Sequence, residues 1–202
     1  MLEVATSSNL WVNLFIMVLC APVAEELIFR KLLIDRLAQY GEGVAVLFSG
    51  LMFGLFHGNL NQFVYAFVLG LCFGFIYVKT GNIRYTIGLH MLVNFLGSVL
   101  GVAILKWLGD DFLSIASDPA GMMSYMTGNF GKLIVYFIYI FLLLGVAIAG
   151  IILFIVNLKK IRFQPGMNTI PKGKRLSTTV LNVGMALYMI VWIVIIIVQL
   201  FQ

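Results

Sequence analysis

From Leu133 to Val156 the chain runs for 24 residues without a charge or a proline, and from Leu176 to Gln202 it contains no Asp, Glu, Lys or Arg. Each stretch exceeds the roughly 20 apolar residues that carry a helix across a hydrocarbon core. In lipid the backbone finds no water and must bond to itself, so runs of this kind fold as helices. The remainder agrees, with 62% hydrophobic and 10% charged residues and a mean hydropathy of +1.06, against about one quarter charged in soluble domains. The chain is read as all-α, a polytopic transmembrane helical bundle forming one integral membrane domain over residues 1–202.

Apolar runs and breakers give about six membrane segments: Leu10–Phe29, Val44–His57, Phe63–Val78, Ile83–Leu108, Leu133–Val156 and Ser177–Phe201, the last two being C-terminal helices beyond any motif. Basic residues cluster after the first segment (Arg30, Lys31, Arg36), between the third and fourth (Lys79, Arg84), and between Lys159 and Arg175, where six of the thirteen fall. With these three loops cytoplasmic, an alternating path places both termini outside. The stretch Gly109–Gly131, with Asp110, Asp111 and Asp118, is expected to be an outer loop, and Gln164–Arg175 a flexible basic loop. No basic region precedes the first apolar run, so that run is read as a retained helix rather than a cleaved signal. The net charge of +5 is accounted for by loops and is not a nucleic-acid signature. Cys20 and Cys72 lie in separate apolar runs and read as packing residues.

Against this background, the only two histidines, His57 and His90, and the adjacent carboxylates Glu25 and Glu26 all fall in apolar segments. Ionisable groups within a span are costly and mark function. Pro22 and Gly41 are expected to bracket a helix that begins inside the membrane. Glu25 lies 16 residues before Gly41 and His57 lies 16 after it. In an antiparallel helical hairpin both then sit about 24 Å from the turn, at the same level. Glu25 and His90 also come out roughly 10 Å below the basic face, which puts a shared cavity near the cytoplasmic leaflet. The polar run Gly58–Gln62 would lie at depth as well, which is tolerated only beside a wet cavity or inside protein.

Adjacent Glu25 and Glu26 are about 100° apart on a helix, so they are not expected to point at one centre. Arg30, four residues after Glu26, forms a favourable pair with it. Glu26 and Arg30 are thus assigned a supporting role, and Glu25 is left to face His57. His90 and Asn94 share a helix face. The chemistry these residues suit is peptide hydrolysis: Glu25 and His57 deprotonate water while His90 and Asn94 hold the tetrahedral oxyanion. An equally drawable version has Glu25, His57 and His90 binding Zn²⁺ with water in the open position. The residues do not separate the two.

In order and spacing, Glu25-Glu26-x-x-x-Arg30 (EExxxR), Phe53-x-x-x-His57 (FxxxH) and His90-x-x-x-Asn94 (HxxxN) resemble the motifs of the CPBP family, the type II CAAX prenyl endopeptidases and bacteriocin-processing (Abi) intramembrane proteases. The resemblance covers residues 25–94. It implies a multi-pass cell-membrane endopeptidase acting on peptide or membrane-protein substrates. Glu25 and His57 would be the water-activating pair, His90 and Asn94 the oxyanion hole, and Glu26, Arg30 and Phe53 the support. Described members include both metalloproteases and glutamate proteases, so it leaves the metal open. Relatives carry further helices before EExxxR, whereas some twenty residues precede it here, and the chain is read as a short or N-terminally incomplete form. Two competing readings are a non-catalytic bacteriocin-immunity or scaffolding protein of the same fold and a proton-coupled transporter. The second is disfavoured by the lack of an inverted repeat.

Overall fold

The computed structural model describes residues 9–109, 112–115, 117–168, 170–174, 177–178 and 182–201; Asp110, Asp111 and part of the expected last segment lie outside them. The described residues are all-α, forming α1 (Leu10–Tyr40), α2 (Glu42–Phe56), α3 (Leu60–Thr80), α4 (Ile83–Leu108), α5 (Pro119–Asn157) and α6 (Val183–Leu200). All but α2 are long and apolar enough to cross a membrane. At 15 residues, α2 rises only about 22 Å, short of the roughly 30 Å core. On α5 even Phe141 and Val146 are 67% and 66% exposed, as expected of side chains whose solvent is lipid.

Two expectations are corrected. The helix around Glu25 does not begin at Pro22, because α1 starts at Leu10 with Asn9 as its cap and runs through the proline. A π-helical stretch, Leu14–Cys20, ends two residues before Pro22, and its wider hydrogen-bond spacing accommodates a residue that has no N–H to give. The expected outer loop is largely helix as well. Asp118 accepts hydrogen bonds from the Ala120 and Gly121 amides, Pro119 takes the first position of α5, and the helix is interrupted only by non-helical backbone at Asn129. An Asp-Pro pair reads as a turn, yet it is also a good helix start.

The chain divides into two compact units, Met1–Cys20 with Met91–Arg162 and Ala21–His90 with Phe163–Gln202. In the first, Leu108, Phe112 and Leu133 form the core, and Tyr139 donates to the Leu96 carbonyl at 2.7 Å. In the second, α1 turns at Gly41 into α2, and α2 packs along α3. The hairpin register follows the expected spacing: Phe29 and Phe53, each 12 residues from Gly41, meet edge to face with ring centroids 5.4 Å apart.

The basic loop is not free over its described part. The Glu42 amide donates to the Gln164 carbonyl at 3.1 Å, the Gln164 amide donates to Glu42 at 2.9 Å, and Asn168 donates to Gln39 from both its amide and its carboxamide. Lys79 completes the junction by pairing with Glu42. Burial would raise the Glu42 carboxyl, but the bonds from Lys79 and the Gln164 amide outweigh it and hold the group below its ordinary 4.5. Gly166 is required by close approach, since a Cβ there would lie 2.2 Å from the Gln39 carbonyl oxygen and 2.4 Å from the Gly41 nitrogen. Gly166→Ala is therefore expected to undock the loop at a cost of about 1–3 kcal/mol, read as faster limited proteolysis between Phe163 and Lys174. An unchanged cleavage rate would contradict the docking.

Candidate active site

Within the second unit, EExxxR, FxxxH and the histidine of HxxxN come together. Arg30 and Glu26 are both wholly buried, with Arg30 Nε 3.1 Å from Glu26 Oε2. This is a charge contact rather than an aligned hydrogen bond, because neither atom has a hydrogen-bond partner. Arg30 is held by its surroundings instead. Its guanidinium lies 4.6 Å from the Phe53 ring centroid and 5.7 Å from that of Phe73, and Nη1 donates to Ser49 Oγ at 3.4 Å. Ser49 in turn donates to the Phe29 carbonyl at 2.8 Å. Cation–π contacts gain when desolvated, which is how α2 and α3 retain a buried cation.

Both carboxylates reach His90, contrary to the expectation from the 100° offset. Glu26 Oε1 is 3.0 Å from Nδ1 and Glu25 Oε2 is 3.7 Å from Nε2. The offset argument treated the imidazole as a point, whereas the ring carries its two nitrogens on different edges and receives one carboxylate at each. Glu26, in charge contact with Arg30 through its other oxygen, accepts from Nδ1–H, which leaves Nε2 toward Glu25. Glu25 thus faces His90 rather than His57. Its Oε2 is buried and lacks a hydrogen-bond partner among the described residues, while its side chain keeps 17% exposure.

His57 is the residue that closes α2, and its Nδ1 turns back to the Phe53 carbonyl at 2.8 Å. A carbonyl only accepts, so Nδ1 carries the proton and Nε2 presents its lone pair. The Phe53 ring packs edge-on against both imidazoles, 4.9 Å from His57 and 5.6 Å from His90. The polar run after His57 is a tight turn: Gly58 takes φ +61°, and Asn59 caps α3 by accepting from the Asn61 and Gln62 amides. Positive φ suits glycine, and a side chain would also meet Trp192 and Ile195 of α6 at 3.2 and 3.1 Å.

Asn94 falls in the other unit, where its carboxamide donates to the Met17 carbonyl at 2.8 Å. The expected zinc ligands, Glu25, His57 and His90, do not form a three-donor set as placed. Among the described residues no three His, Cys, Asp or Glu side chains are arranged to hold a metal, and the ring nitrogens of His90 both face carboxylates. Sequence reasoning missed Ser49 and Phe73. Ser49 was within reach, since 49, 53 and 57 share one helix face; nothing local marks Phe73 among the apolar residues of α3.

Comparison with known proteins matches residues 7–96 to the family described as "Rce1-like: Type II CAAX prenyl endopeptidase Rce1-like". The protein named "Putative membrane peptidase YdiL" of Bacillus subtilis (strain 168) is 33% identical over 74 residues, 36% of this chain and 30% of that relative's length. No solved structure matches. The matched segment takes in all three motifs, with Glu25, Glu26, Arg30, Phe53, His57 and His90 gathered in one compact unit, and over residues 7–96 the chain is similar to the Rce1-like type II CAAX prenyl endopeptidases.

Proposed function

We propose that the chain is an intramembrane endopeptidase of the cell membrane whose site lies near the cytoplasmic leaflet. The observation that carries this reading is the Glu25 carboxylate, whose buried oxygen has no hydrogen-bond partner among the described residues and faces His90. Leaving such an oxygen unmatched costs about 1–3 kcal/mol or more for a charged group, and a water or substrate group would offset that cost. In the reaction, a water bonded to Glu25 and to His57 Nε2 loses a proton to the carboxylate as its oxygen attacks the scissile carbonyl carbon. The oxyanion is held by His90, which donates from Nε2 as an imidazolium while its Nδ1–H stays on Glu26. Glu25 then returns the proton to the amine nitrogen as the C–N bond breaks. Glu26 and Arg30 fix the His90 ring and balance its charge. The protein's own groups carry each step in this reading, and among the described residues no three His, Cys, Asp or Glu side chains are arranged to hold a metal.

The test is the purified full chain in detergent with a peptide library, read by mass spectrometry before and after rigorous chelation and after adding zinc. The expected result is internal cleavage that survives chelation. Loss on chelation restored by zinc would replace the direct water mechanism with a metal-bound one, and no cleavage by folded protein in either detergent or liposomes would remove the protease reading.

A further inference from the structure

Beside the buried site, Ile28, Phe29, Leu32, Leu33 and Arg36 of α1, Met52 and Phe56 of α2, and Tyr188 of α6 line a groove of about 360 Å³ within the second unit. We infer that it binds a glycerophospholipid with an anionic headgroup, an acyl chain in the groove and the phosphate on Arg36. The groove opens on membrane-spanning helices, and its length from Ile28 to Arg36 is about 12 Å along α1.

Two observations select the occupant. The first concerns the walls, where Ile28, Phe29, Leu32, Leu33, Met52 and Phe56 offer no hydrogen bond and the Tyr188 hydroxyl already donates to the Met52 carbonyl at 2.8 Å. A peptide laid here would strand its backbone N–H and C=O groups at several kcal/mol each, whereas an alkyl chain strands nothing. The second is the charge at one end. The neighbouring acid, Asp35, is taken by Lys31 at 2.7 Å and by the Tyr77 hydroxyl at 2.7 Å, and among the described residues no carboxylate pairs with Arg36. Arg36 lies in the last turns of α1, beside the Gln39 and Asn168 junction of the basic loop. Arg36 thus stands with Lys31 and Asp35 at the polar end of the groove, and a guanidinium is well shaped to receive a phosphate.

The test is native mass spectrometry of the full chain in detergent titrated with phosphatidylglycerol, and with diacylglycerol, which has the chains but no phosphate. One bound phosphatidylglycerol per chain is expected, weakened about tenfold by Arg36→Gln, with diacylglycerol binding as weakly to wild type as phosphatidylglycerol does to the variant. Leu32→Trp, which fills the groove from its exposed edge, should abolish binding while leaving the Arg36 guanidinium in place. Equal binding of the two lipids, no effect of Arg36→Gln, or displacement of the lipid by an apolar acidic peptide at equal concentration would overturn the assignment. Because the readout is binding, it stands whether or not the chain cleaves peptides.

Discussion

Arg30→Ala is expected to destabilise the protein by about 3–5 kcal/mol, the cost of leaving a buried charge without its partner. Arg30 and Glu26 are wholly buried, so the loss is not softened by solvent as it would be for a surface pair. Alanine also removes the guanidinium from between Phe53 and Phe73 and from Ser49. Lysine should not rescue, because it lacks the planar fork that stacks between two rings. The double variant Glu26→Gln with Arg30→Met is expected to be more stable than Arg30→Ala alone, since no orphaned carboxylate remains. Denaturation in detergent measures all three. If Arg30→Ala shifts stability by less than about 1 kcal/mol, Glu26 is not held as a buried anion.

Glu25→Gln should lower kcat by about a hundredfold to ten-thousandfold, the range for removing a positioned general base, with the melting temperature preserved. The amide keeps the shape but cannot take a proton from water. Preserved stability is expected because Glu25 makes no hydrogen bond through its buried Oε2 and touches His90 only at 3.7 Å. The contrast with Arg30→Ala separates chemistry from architecture: one variant loses turnover and keeps its fold, the other loses the fold first. Wild-type turnover in Glu25→Gln would take the carboxylate out of the reaction.

The parts of this protein that were legible in advance are those set by repeat distances. A helix rises by the same amount at every residue, so equal counts from Gly41 place Phe29 against Phe53, and the four-residue step places Glu26 against Arg30. The less legible parts depend on the shape of individual groups or on distant partners. Counting angles around α1 could not show that one imidazole accepts a carboxylate at each nitrogen. That Pro22 continues a helix rests on the π-helical turn before it, and that Asp118 starts one rests on which way its side chain folds. His57 was expected to reach across to Glu25; as the closing residue of α2 it bonds to its own helix instead. The docking of Gln164 and Asn168 joins residues more than 120 positions apart in sequence from their partners, beyond any local pattern.

The tight turn after His57 has a consequence for anyone wishing to shorten the protein. Trp192 packs on Phe56 at 5.2 Å and, with Ile195, covers Gly58, while Tyr188 anchors to α2. The recognisable family segment stops at residue 96, yet the brace for its second motif arrives nearly a hundred residues later. A fragment trimmed to the familiar motifs would carry every group proposed to react and lack the strut that packs on the turn after His57.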